Sequence, residues 1–242
     1  MLHDLVSASI AHMHGVAPEA IWLLTLIVCF AVIVLAHRFY GATGLIVYIC
    51  VAIIAANVQV TKLVDFAVFS GPIPLGTLLF TSTFLATDIL REVHGAPVAR
   101  RAVWLGFLSF LCWTGLMILT LGFASVDADN QQALSLIFTP TLSFFLAGMA
   151  AYLISQYFDV WFYGWLARRM RGYGLWLRNN LSTWVSSLID NTVFSLLAWY
   201  VFTNNPVALG EIIGVYIFGT YLLRVVVAIC DTPFIYLACR WR

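Results

Sequence analysis

Long apolar runs, separated by short polar breaks, fill most of this chain. A helix that crosses a bilayer needs about 20 mostly apolar residues. Seven stretches meet that length, at roughly 20–37, 43–63, 73–90, 102–124, 141–167, 179–203 and 209–238. The breaks between them are short, as in a compact helical bundle, and no soluble domain or internal repeat interrupts the pattern. One entrance is irregular. The sequence GPIPLG at 71–76 places two prolines and two glycines at the head of the third span. Such a segment is tolerated at membrane depth only where protein or water surrounds it, which admits a broken or re-entrant entry.

Polar residues interrupt the apolar pattern in a regular way. Lys62, Asp88, Asp159, Asp190, Arg224 and Asp231 lie within or close to the spans, and each costs about 2.5–3.5 kcal/mol at a helix centre, so each must pair, line a wet cavity or serve a function. Lys62 and Asp88 stand close enough to span ends to reach interfacial water, whereas Asp190 and Arg224 fall near mid-span. Residues three, four and seven apart share a helix face. On that rule Asn180, Thr183, Ser187 and Asp190 form one stripe, and Tyr216, Thr220, Arg224 and Asp231 a second. Thr77, Thr81, Asp88 and Glu92 form a third, with Gln156 beside Asp159 on the fifth span. Four helices with one polar stripe each suit a bundle around a hydrophilic pocket. Hydroxyl and amide stripes also hold membrane helices together, so the central charges carry more weight than the Ser, Thr and Asn positions.

Composition agrees with the pattern. Hydrophobic residues make up 62% of the chain and charged residues only 10%, against about 25% charged in soluble domains, so the chain's natural solvent is a lipid bilayer. Twelve basic against 11 acidic residues give no reason to expect a nucleic-acid partner. The basic residues cluster: Arg38 follows the first span, Arg91, Arg100 and Arg101 the third, Arg168, Arg169, Arg171 and Arg178 the fifth, and Arg240 and Arg242 the seventh. That bias predicts an external N-terminus and a cytoplasmic C-terminus.

The five cysteines fall in apolar runs without paired spacing and read as small hydrophobes. His3, His12 and His14 are irregularly spaced and lack acid or Cys partners, which predicts a mobile polar tail without a metal. Gly210 and Gly214 suit close helix packing, and formation of a homodimer stays open. No HExxH, GxSxG, phosphate-binding GK[ST] loop or CxxC is present. The chain is therefore expected to be no enzyme and to need no cofactor.

Several segments carry a family likeness. AANVQVTKLVDF, FTSTFLATDILREVHGAPVARRAVWLGF, ISQYFDVWFY, WLRNNLSTWVSSLIDNTVF and DTPFIYL resemble, in that order, segments of the queuosine precursor transporter family, also called the vitamin uptake transporter family. The TDILREVHG to ARRAVWLGF block is the most specific. The likeness runs from about residue 43 to the C-terminus, which divides the chain into residues 1–42, an external tail and an added transmembrane helix, and residues 43–242, a six-helix transporter core. It implies an all-α membrane protein whose six-helix bundle is similar to the substrate-binding subunits of energy-coupling-factor importers. It also implies a bacterial inner-membrane carrier or facilitator for a small purine-like substrate, a 7-deazaguanine base such as the 7-cyano or 7-aminomethyl compound.

A guanine-like base presents an N1 proton beside a 2-amino group, a donor pair that one carboxylate accepts in two bonds. Carried onto matching positions, the resemblance implies substrate contacts from Asn57, Gln59, Lys62, Gln156, Asp159, Asn180, Asp190 and Asp231. Arg224 joins them where the family often has Lys. Asp88, Glu92, Arg100 and Arg101 are implied as a structural and gating cluster at the cytoplasmic end of the third span. Phe80, Phe84, Tyr157, Phe158 and Phe194 are candidates for an aromatic wall. Two other roles fit the same residues: a binding subunit that needs an ATP-driven module, and a non-transport scaffold whose buried charges fix helix register.

Overall fold

The computed structural model describes residues 2–60, 62–67, 73–138, 142–171, 173–203 and 205–241. Its regular structure is almost wholly helical. In chain order the elements are α1 (Leu2–His14), α2 (Pro18–Gln59), a two-residue antiparallel pair β1 (Leu63–Val64) and β2 (Ile73–Pro74), and α3 (Gly76–Ile89), which a π turn (Leu90–His94) prolongs. There follow α4 (Ala96–Leu121), α5 (Ala128–Phe138), α6 (Leu142–Arg169), α7 (Leu175–Leu196) with a π segment (Leu197–Val201), and α8 (Leu209–Cys239), π-wound over Ile212–Gly219.

Among the described residues α2, α4 and α8 are long and apolar enough to cross a bilayer by composition alone. The helices at the third, fifth and sixth expected spans form as well, but they trade apolar surface for polar groups turned inward. The buried polar residues of α3 and α7, five on the first and ten on the second, stay out of lipid because other helices cover them: α3 packs on α2, α4, α6, α7 and α8, and every residue from Thr81 to Leu90 is buried. A helix buried on all sides does not need an apolar stripe.

The first two spans are the two arms of α2. Gly41 breaks the helix with φ 57° and ψ −135°, a backbone state that glycine adopts without the Cβ penalty. The arms run antiparallel. Leu26, Phe30 and Ile33 of the first and Leu45, Ile49 and Ile53 of the second enter one core, and Cys29 of the first stands near Tyr48 of the second. At one end of the hairpin Glu19 Oε1 accepts from the Ala67 amide at 2.6 Å. At the other, the Arg38 guanidinium lies over the Trp241 ring and His37 meets His94 edge-on at 5.6 Å.

Further contacts extend that second end into an arginine-rich cap. Arg91 lies against Gly164 of α6, where its guanidinium fills the space a Cβ would take. Arg178, at the start of α7, reaches Glu92 at 2.9 Å. The basic segments after the first, third, fifth and seventh expected spans thus gather at one end of the bundle.

Three local expectations are corrected. The N-terminal tail is not a loose polar segment but a 13-residue helix, α1. The connection after α4 holds α5, an exposed helix tied back by Gln131 Nε2 donating to the Leu121 carbonyl at 3.2 Å and by Phe138 packing on Trp113. Part of GPIPLG lies outside the described residues. The rest makes no broken helix, because Ile73 and Pro74 pair with Val64 and Leu63 and α3 starts only at Gly76.

Candidate functional site

The interior of the bundle holds a column of polar side chains arranged along α7. One face of that helix is buried and polar from end to end: Arg178, Asn179, Asn180, Ser182, Thr183, Ser186, Ser187, Asp190 and Asn191. Partners on α3, α6 and α8 meet it level by level. At the arginine-rich end Glu92 accepts from Arg178 and, at 3.0 Å, from the Tyr163 hydroxyl, with the Arg178 guanidinium over the Tyr163 ring.

One turn further in lie three carboxyls with no arginine among them. Asp159 Oδ1 accepts from Ser182 Oγ at 2.7 Å and Ser186 Oγ at 2.5 Å. Asp88 Oδ2 accepts from Thr183 Oγ1 at 3.3 Å, and Asp231 Oδ1 from Asn179 Nδ2 at 2.6 Å. All three acids are buried, and Asp88 and Asp159 show no exposed surface. A helix of Ser, Thr and Asn is suited to this level because each side chain donates without adding charge.

Beside this level, Gln156 bridges α6 to α3, donating to Thr83 Oγ1 at 3.0 Å and accepting from Thr87 Oγ1 at 3.2 Å. The threonines also bond back to their own helix, Thr83 to the Phe80 carbonyl and Thr87 to the Thr83 carbonyl. Deeper along α7 comes a matched charge pair. Arg224 Nη1 lies 2.5 Å from Asp190 Oδ2, Ser155 Oγ donates to Asp190 Oδ1 at 3.0 Å, and the guanidinium faces the Phe80 ring at 5.8 Å. Asn191 closes the column, donating to Thr220 Oγ1 at 2.9 Å.

Most residues singled out from the sequence therefore converge. Asp88, Gln156, Asp159, Asn180, Asp190, Arg224 and Asp231 are interior. Asn180 donates to Thr232 Oγ1 at 2.7 Å, joining α7 to α8. Others stand apart. Asn57 is half-buried and donates to the Ile53 carbonyl of its own helix. Gln59 is half-buried at the end of α2, and Lys62 is exposed just beyond it, because the helix stops short of that residue.

The gating cluster also differs from expectation. Glu92 is paired by Arg178, while Arg100 and Arg101 are exposed on α4 and leave Asp88 to Thr183. Arg178, read from the sequence only as an orienting charge, is 2% exposed. Its Asn179 neighbour and the hydroxyls of Ser155, Ser182 and Ser186 were likewise not singled out. The signal that could have found Asn179, Ser182 and Ser186 is the spacing of small donors on α7, three and four residues apart.

A cavity of about 450 Å³ opens between α7 and α8, lined by Trp176, Asn180, Trp184, Ile229, Thr232 and Pro233. Asn180 Oδ1 and Trp184 Nε1 are buried there without a hydrogen-bond partner. Its two tryptophans were absent from the aromatic candidates taken from the sequence.

Residues 74–238 match a family model described as "putative vitamin uptake transporter". A "probable queuosine precursor transporter" of Bacillus subtilis (strain 168) is 34% identical over 222 residues, covering 91% of this chain and 94% of the relative. No solved structure matches the chain.

Proposed function

Since the chain belongs to the vitamin uptake transporter family, whose members are membrane transporters and not enzymes, we propose that it imports a queuosine precursor across the bacterial inner membrane as a secondary carrier or facilitator. The cargo is a 7-deazaguanine base such as the 7-cyano or 7-aminomethyl compound. The observation that carries this reading is the match along 91% of the chain to a relative named a probable queuosine precursor transporter. The buried column on α3, α6, α7 and α8 gives it a physical basis, since its residues from Thr83 to Asp231 lie within the matched residues 74–238.

The helices form a six-helix core similar to energy-coupling-factor binding subunits, preceded by the first arm of α2 and the tail before it. The arginine-rich end faces the cytoplasm, in keeping with the bias of basic residues toward that side. The base is held near the level of Asp190, Arg224 and Gln156. Asp190 accepts the N1 and 2-amino protons, Arg224 donates to the ring carbonyl, and Phe80 offers a stacking face beside the guanidinium. Ser155 keeps the carboxylate oriented while its arginine partner is exchanged for cargo.

The test is uptake of labelled 7-cyano-7-deazaguanine by cells that lack both precursor synthesis and their own carrier, read as queuosine in tRNA. This chain alone is expected to restore the modification. Restoration only together with an ATPase module would instead assign it as a binding subunit, and no uptake or binding in either setting would leave it a scaffold.

A further inference from the structure

Two of the buried acids present a mismatch that hydroxyl donors do not resolve. Asp88 Oδ1 and Asp159 Oδ2 are both buried and receive no hydrogen bond, although the second oxygen of each carboxyl is bonded to α7. The two carboxyls, from α3 and α6, are within hydrogen-bonding contact of each other. Two ionised carboxylates cannot bond to each other, since an ionised carboxyl only accepts. One proton between them supplies the missing donor for both orphan oxygens.

Among the described residues the surroundings offer no other neutraliser. The charged group that acts on Asp88 besides Asp159 is Asp231 of α8, itself an acid, and Asp88 also acts on the Tyr163 hydroxyl of α6. From α7 come Ser182, Ser186 and Thr183, all neutral. The nearby arginines are engaged elsewhere, Arg178 by Glu92 and Arg224 by Asp190. Neither α2 nor α4 contributes a charge that acts on the pair.

We infer that the Asp88–Asp159 pair is a proton-binding site that couples cargo import to proton entry, an inference that rests on the carrier reading above. A proton taken from water on the external side forms an O–H bond on one of the facing oxygens and is shared with the other. On inward opening that bond breaks and the proton passes to water at the arginine-rich end, one turn away. The pair joins the central helix α3 to α6, so its protonation sets how tightly those helices are held together. Loss of the proton leaves two like charges in contact and favours their separation, which is the motion alternating access requires.

The test uses the purified full chain in two settings. In liposomes, an inward acid gradient is expected to drive accumulation of labelled 7-cyano-7-deazaguanine, with matching acidification of a trapped pH dye and loss of both on adding a protonophore. Asp88→Asn and Asp159→Asn are expected to lower accumulation at least tenfold, with whatever downhill flux remains unaccompanied by protons. Without any cargo, infrared spectra of the wild-type protein at neutral pH are expected to show the C=O stretch of a buried protonated carboxyl that weakens in either variant.

Accumulation that ignores the protonophore, follows a sodium gradient or survives in both variants would overturn the coupling role while leaving the carrier reading intact. A carboxyl band present in a protein that moves no base would uphold the proton site and remove the carrier. A spectrum unaltered by both substitutions, in variants that melt like the wild type, would remove the site itself.

Discussion

Asp190 meets a guanidinium at 2.5 Å, whereas Asp159 meets only two serine hydroxyls and a second acid. Both residues are buried in one bundle against the same face of α7, Asp190 on that helix and Asp159 across from it. The difference lies in how each charge is answered. Around Asp190 the answer is an opposite charge, so removing either partner leaves the other buried without its counter-charge. Around Asp88, Asp159 and Asp231 the answer is a set of neutral donors, which tolerate a carboxyl in either protonation state. A matched pair fixes geometry, and an unmatched group of acids can change charge without losing all its bonds.

The strongest way to break this comparison is to remove the matched cation. Arg224→Met leaves the Asp190 carboxylate buried with only Ser155 as donor, and loss of one partner of a buried pair costs about 3–5 kcal/mol. The purified variant is expected to melt well below the wild type in detergent. The double variant Asp190→Asn with Arg224→Gln, which removes both charges, is expected to recover more than half of that loss. Equal destabilisation in the single and double variants would show that the charges are not acting as a pair.

The unmatched acids predict the opposite sign. Asp231→Asn keeps an oxygen to accept from Asn179 and removes a charge that acts on Asp88. Stability is expected to rise by about 1 kcal/mol, the scale of a single hydrogen-bonded contact. A fall as large as that of Arg224→Met would mean that Asp231 is held ionised by a partner, and the contrast between the two levels would fail.

The apolar runs and the clustering of arginine were enough to read the helices and the end at which basic segments gather, because both are summed over many residues. The Gly41 hairpin follows from the break between the first two runs. Single contacts were less legible. That Arg224 pairs with Asp190 of α7, and not with Asp231 of its own helix, follows only from the placement of α8 against α7. The resemblance implied one cluster of Asp88, Glu92, Arg100 and Arg101, yet the chain turns at Gly95, φ 89°, and carries the two arginines outward along α4. Arg178 instead arrives from α7. The helices α1 and α5 have mostly exposed side chains, so no strong burial pattern marked them.

Gly164 offers a finer probe of the arginine-rich end. An added methyl meets the Arg91 guanidinium at three of its atoms, so Gly164→Ala must displace a buried contact. It is expected to cost about 1 kcal/mol, the low end of overpacking. Gly115→Ala on α4 meets nothing within 4 Å and is expected to raise stability by about 0.5–1 kcal/mol through its helix preference alone. Paired melting curves of these two glycine variants distinguish close packing from mere helix propensity. Similar shifts of one sign would show that Arg91 moves aside freely.

The smallest expected effect comes from the exposed arginines. Arg100→Ala and Arg101→Ala remove charges that face away from the column, and surface substitutions of that kind stay within about 0.5 kcal/mol. Arg178→Ala is the contrast, since it removes the Arg178–Glu92 ion pair and the cation over the Tyr163 ring. Melting curves of the three variants, taken under one set of conditions, are expected to place Arg100→Ala and Arg101→Ala with the wild type and Arg178→Ala clearly below. If all three fall together, the arginine-rich end acts as one charged network, and the distinction between paired and free arginines there loses its basis.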